Sequence, residues 1–138
     1  MWLCGVMLYG KKKKPEVGLR LEAASSGVTL TGIFKDYVNK HKYSDIVGSG
    51  ILYMNSARLG TRTLTLATNG KTNLMFNTYR GESNTFPATR DDITGSTSYT
   101  FRAYMYCKNP DTGLTETVYS SIIRTNRNAL LSTGPVEV

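Results

Sequence analysis

"SYTFRAYMYCKNPDTGLTETVYSS", residues 98–121, decides how this chain is read. Tyr99, Phe101, Ala103 and Met105 take alternate positions, with Arg102, Tyr104 and Tyr106 between them. Successive side chains of a strand point to opposite faces, so one set meets a core and the other points away. The run breaks on Asn109-Pro110-Asp111-Thr112-Gly113 and resumes at Thr117-Val118-Tyr119. Proline presets φ, aspartate bonds its own backbone and glycine accepts positive φ, so this pentapeptide suits a hairpin turn. The spacing predicts two antiparallel strands with Phe101, Ala103 and Met105 inward and Arg102, Tyr104 and Tyr106 outward.

The same alternation recurs along the chain. "VGLRLEA" (17–23), "VTLTGIFK" (28–35), "DIVGSGILYM" (45–54), "TRTLTLAT" (61–68) and "TNLMFNTY" (72–79) each read as a strand, and "NTFPATR" (84–90) as an edge strand or bulge because of Pro87. Ser26-Gly27, Asn69-Gly70, Arg80-Gly81 and Thr94-Gly95 supply turns between them. "VYSSIIRTNRNALL" has the length of a short helix, but its β-branched residues argue against one. Seven or eight short strands at this spacing predict an all-β, antiparallel sandwich or barrel.

The chain has 138 residues and 15.3 kDa, which suits one domain. Its organisation reads as an N-terminal apolar-basic arm (1–16), a sandwich (17–126) and a C-terminal tail (127–138). Net charge is +7, and Lys11, Lys12, Lys13 and Lys14 supply four of those charges in one run. A basic balance favours anionic partners. Cys4 and Cys107 lie far apart in sequence and are expected as two free thiols.

"ITGSTSYTFRAYMY" narrows the fold. Ile93 is followed by a glycine-containing turn and then by Tyr99. A tyrosine so placed packs its ring under a strand end while its hydroxyl bonds the turn upstream. The pattern resembles fibronectin type III and related immunoglobulin-like domains, of the kind common in Bacteroidetes and their phages. The matching residues are Ile93, Gly95 (one position early), Tyr99, Phe101, Arg102, Ala103 and Tyr104, then Val118-Tyr119-Ser120, with Gly50, Ile51 and Tyr53 upstream. The resemblance covers roughly residues 20–125. The family's buried tryptophan has no counterpart, because Trp2 lies in the arm. The resemblance implies an immunoglobulin-like sandwich with Ile93, Tyr99, Phe101 and Ala103 as structural corner and core, to which the sequence adds an extended N-terminal arm.

No catalytic, cofactor or metal site is expected. His41 is the one histidine and sits in a polar stretch. Asp91-Asp92 read as solvated turn carboxylates. Asp111-Thr112-Gly113 matches an aspartic-protease triplet, yet its turn setting accounts for it fully.

The arm draws the functional expectation. Trp2, Leu3, Val6, Met7, Leu8 and Tyr9 form an apolar tip ahead of the lysines. That order reverses a secretory signal, and the tip is too short to cross a bilayer, so neither export nor a transmembrane segment is expected. No aromatic rings interleave with Lys11 to Lys14, which argues against sequence-specific reading of nucleic acid. An apolar tip with a basic collar suits burial on a partner. With the phage resemblance, the expected protein is non-enzymatic: an auxiliary or decoration protein of a phage capsid, located in the virion and attached to other capsid proteins by its arm. Its loops are left to meet a host surface. The alternative is a cell-surface adhesion or glycan-binding module.

Overall fold

The alternating stretches become strands in a computed structural model, which describes residues 15–35, 45–76, 84–109 and 111–138. They are β1 (Glu16–Ala23), β2 (Val28–Lys35), β3 (Asp45–Asn55), β4 (Thr72–Phe76), β5 (Thr85–Arg90), β6 (Tyr99–Lys108), β7 (Thr115–Tyr119), β8 (Ile123–Thr125) and β9 (Val136–Glu137). Two short helices, α1 (Ser56–Leu59) and α2 (Arg127–Thr133), complete the described elements. Residues 1–14 of the expected arm, with Cys4 among them, and His41 lie outside the described residues; residue 16, placed at the end of the arm from sequence, instead opens β1.

Two antiparallel sheets form. The first runs β5-β2-β1-β9, and the second runs β4-β3-β6-β7 with β8 also on β6. Register follows the sequence pattern. Leu21 faces Leu30 across β1 and β2, and Ile51 and Tyr53 face Ala103 and Phe101 across β3 and β6. A register shift between Ile46 and Gly48 bends β3 near its start. Pro87 lies in β5, at the edge of the first sheet, where a missing N–H costs least.

The inner faces make one core. Val17, Leu19, Leu21, Val28, Leu30 and Phe34 of the first sheet meet Ile51, Tyr53, Phe101, Ala103 and Met105 of the second. Gly32 makes room within it, because a Cβ there would overlap the Phe86 ring. The inward set of the opening hairpin is therefore as expected.

Two expectations fail. Residues 61–68 form no strand; they loop across the outer face of the second sheet. Their threonines bond locally instead: Thr65 N donates to Thr68 Oγ1 at 2.8 Å, and Thr68 Oγ1 donates to Thr63 O at 2.7 Å. Side chains of this kind offer the backbone an alternative to a ladder. The C-terminal residues, expected as a tail, instead fold back. Asn126 caps α2, its Oδ1 accepting from Ala129 N at 2.7 Å, and Gly134 ends the helix at φ 88°. β9 then pairs with β1, crossing from the second sheet to the first. The β-branched run that argued against a helix stops in β8, one residue before that cap.

Candidate functional site

The arm residues on which the functional expectation rests, Trp2 to Tyr9 and Lys11 to Lys14, lie outside the described residues. What the structure brings together is a corner, a hairpin tip and a covered sheet face.

At the corner, Ile93, Phe101 and Ala103 are fully buried. The Tyr99 hydroxyl donates to Asp92 O at 3.4 Å, which is the expected bond to the upstream turn, made long. Asp92 is exposed, as expected of a turn carboxylate, yet it also holds side-chain partners. Its Oδ2 accepts from the Tyr53 hydroxyl at 3.0 Å, and that hydroxyl accepts from Arg90 Nε at 3.0 Å. Burial pushes the Tyr53 phenol above its ordinary value, and the bond to Asp92 pushes it further in the same direction. This knot joins β3, β5 and the turn ahead of β6.

The hairpin tip is closed by its own side chains. Asn109 Oδ1 accepts from Asp111 N at 2.8 Å, and Gly113 N donates to Asn109 O at 2.8 Å with Gly113 at φ 75°. Asn109 Nδ2 reaches Glu116 Oε2 at 2.9 Å. The Asp-Thr-Gly triplet thus has a turn's geometry, with Leu114 exposed beside it.

The covered face went unread in the sequence. Outward side chains of β3 and β6 would ordinarily meet solvent, yet Leu52, Met54 and Tyr104 are buried. Leu59 and Leu64, from the connection between β3 and β4, pack onto them as a second small cluster. Asn55 starts the connection by capping α1, accepting from Ala57 N at 2.9 Å and Arg58 N at 3.2 Å. Tyr104 lies flat because Gly50 beneath it has no side chain: a Cβ there would strike the ring. Its hydroxyl donates to Asn73 Oδ1 at 2.8 Å, and burial raises its pKa.

Arginines hold this cover down. Arg102 donates from Nε to Ser120 O at 2.9 Å and from Nη1 to Leu64 O at 3.2 Å. Its guanidinium stacks 4.4 Å from the centre of the Tyr119 ring, whose hydroxyl accepts from Leu66 N at 3.1 Å. Arg62 reaches the carbonyls of Arg58, Leu59 and Asn69 at 2.9, 3.1 and 3.2 Å. Lys71 Nζ donates to Thr68 O at 3.1 Å. Nearby, Arg124 Nε donates to Thr100 Oγ1, which bonds Ser56 Oγ at 2.9 Å. None of residues 46–76 is Asp or Glu, the one sequence signal that could have drawn attention to this surface.

Among the described residues no group of three or more His, Cys, Asp or Glu is placed to hold a metal, and no helix is long and apolar enough to cross a membrane. Comparison of the chain with family models, with curated proteins and with solved structures finds no match.

Proposed function

We propose that this chain is a non-enzymatic structural protein of a virus particle: an auxiliary protein that decorates a phage capsid and attaches through residues 1–14. The observation that carries the reading is how the folded unit spends its polar side chains. Arg62, Arg102 and Arg127 donate to backbone carbonyls, and Tyr53, Asp92 and Arg90 bond one another at the corner. Such a unit serves as a carrier, and the apolar-basic segment of the sequence is the feature left to make an attachment. The strand order β5-β2-β1 in one sheet and β4-β3-β6-β7 in the other supports the fibronectin type III-like form of the sandwich. The virion setting rests on the resemblance of the Ile93 to Tyr104 motif to domains found in phages.

Two measurements test this. Mass spectrometry of purified intact particles is expected to find the protein at a fixed stoichiometry; its absence sinks the virion reading. Purified protein is then added to particles lacking it and sedimented. Removing residues 1–14 takes away none of the described core, which begins at Val17, and is expected to abolish attachment. Changing only Lys11 to Lys14 to glutamine is expected to slow attachment more than weaken it. Wild-type occupancy by the truncated protein would show that the sandwich itself makes the contact. Failure to join any particle, together with retention on host-surface glycans, would favour the adhesion reading.

A further inference from the structure

We propose that the outer layer of the second sheet, formed by Arg58, Arg62, Lys71, Arg102 and Arg124, is a docking surface for an acidic protein partner. The inference does not depend on the arm or on the virion setting.

Charge asymmetry is the starting point. Residues 46–76, which supply nearly all of β3, the cover and β4, contain no carboxylate, and neither do residues 93–109 or 117–136. On the first sheet, Glu22 and Glu137 stand beside Arg20, and Glu16 opens β1 exposed. Four of the five cations are linked through their contacts, and Lys71 joins the same cover by its bond to Thr68 O. Arg124 bonds Thr100, Thr100 bonds Ser56 at the start of α1, and α1 carries Arg58. Arg62 then bonds the Arg58 carbonyl, and Arg102 bonds Leu64 within the same cover. Like charges gathered on one face repel, and an anionic partner relieves that cost.

The cations differ in what the fold asks of them. Arg62 and Arg102 are committed to carbonyls, so their forks are held still. Arg58 is exposed, and its head group is left unbonded among the described residues; Arg124 is exposed and uses only Nε, on Thr100. These two present open guanidinium edges of the planar kind that pairs with carboxylates. Arg58 and Arg124 are not required to hold the cover, which makes their charges the feature in need of a partner.

The surrounding surface favours a protein over a nucleic acid. The exposed residues of the cover are arginine, threonine, asparagine, alanine and glycine, and no exposed ring lies among them to stack on a base. The described helices span four and seven residues, too short to read a major groove.

The test uses the full chain with Lys11 to Lys14 changed to glutamine, so that the lysine run gives no background. A fluorescent decaglutamate peptide is titrated in at low and at physiological salt. Binding is expected at low salt and should weaken at high salt, as screening over about 8–10 Å requires. Adding Arg58→Gln and Arg124→Gln is expected to weaken it roughly tenfold, in line with two exposed ion pairs, while the unfolding midpoint stays put. Changing Arg20 and Lys35 to glutamine, which removes the same charge elsewhere, is expected to have a smaller effect. No peptide binding at low salt overturns the proposal, as does equal weakening by the two charge-matched pairs. A duplex DNA of equal charge is titrated in parallel. If it binds more tightly than the peptide and loses that binding in Arg58→Gln/Arg124→Gln, the partner is a nucleic acid and the protein assignment fails.

Discussion

Replacing Leu64 with alanine separates the cover from the sandwich beneath it. Leu64 is fully buried, resting on Leu52, Met54 and Tyr104 beside Leu59. Leu→Ala changes in protein cores cost about 2–5 kcal/mol, the spread reflecting how far the site collapses. Among the described residues only one segment of chain lies above the cavity, so collapse is easy and the lower part of the range applies, about 2–3 kcal/mol. For a chain of this size that lowers the melting temperature by roughly 5–10 °C. Leu64→Met, which conserves volume, is expected to cost under about 1.5 kcal/mol. The sharper assay is amide exchange. Leu66 N is held by the Tyr119 hydroxyl and Thr65 N by Thr68 Oγ1, so both report on the cover directly. If the cover opens as its own unit, these amides exchange faster by about 30- to 150-fold, 1.4 kcal/mol per decade. Amides of β1 and β2 accelerate only as far as the global loss allows. An unchanged melting temperature with the Leu66 and Thr65 amides still protected would show that Leu64 does not hold the cover, and the packing argument would fall.

Phe101→Ala, in the core between the sheets, is expected to cost about 3–5 kcal/mol and to lower protection everywhere; a local effect in hydrogen exchange would contradict a single core. Tyr99→Phe removes a hydroxyl whose bond to Asp92 O is long at 3.4 Å, so the expected loss in chemical denaturation is about 0.5 kcal/mol, and a loss above about 1.5 kcal/mol would mean the bond is stronger than its length implies. Stability should fall at alkaline pH. The Tyr53 and Tyr104 phenols are both raised by burial, so below about pH 10 folded and unfolded chains alike keep these protons. Above it the unfolded chain releases them first, and stability is lost as pH rises. Urea midpoints from pH 8 to 11 should decline more gently in Tyr53→Phe/Tyr104→Phe than in the wild type; equal slopes refute the assignment. Asp111→Asn should leave the midpoint unchanged, since only the Asp111 backbone N–H serves the turn; a marked loss would give its carboxylate a structural role.

The parts of this fold that could be read from sequence are those in which a two-residue period meets a face buried by a partner sheet. In β2, Val28, Leu30 and Phe34 are buried and Thr29 and Thr31 lie between them, so the pattern carries both the strand and its inward side. The same period misleads at Thr61 to Thr68. Leu64 and Leu66 alternate with threonines as a strand would, but the threonine hydroxyls bond within the segment, and the leucines point down onto a sheet already formed. Alternation states which residues share a side; it does not say whether the backbone groups beside them find another strand or their own side chains.

The covered face shows why the candidate surface was harder to read than the fold. Arg102, Tyr104 and Tyr106 point outward as the alternation predicts, and outward ordinarily means wet. Tyr104 is nevertheless dry, because Gly50 lets its ring lie flat and the connection between β3 and β4 folds over it. Burial therefore depends on a segment distant in sequence from the strand it covers. The cations follow the same logic: Arg58, Arg62 and Lys71 come with the cover, whereas Arg102 and Arg124 come from β6 and β8, and no window of sequence contains all five. The run of Lys11 to Lys14 attracts attention because it is contiguous, while an equally cationic face assembled by folding does not. Contiguity is a property of the chain, but an acidic partner meets the surface. A basic chain is therefore judged by where folding leaves its carboxylates as much as by where its lysines cluster. Here Glu22 and Glu137 of the first sheet lie beside Arg20, whereas the cover of the second sheet carries no carboxylate and leaves Arg58 and Arg124 facing out.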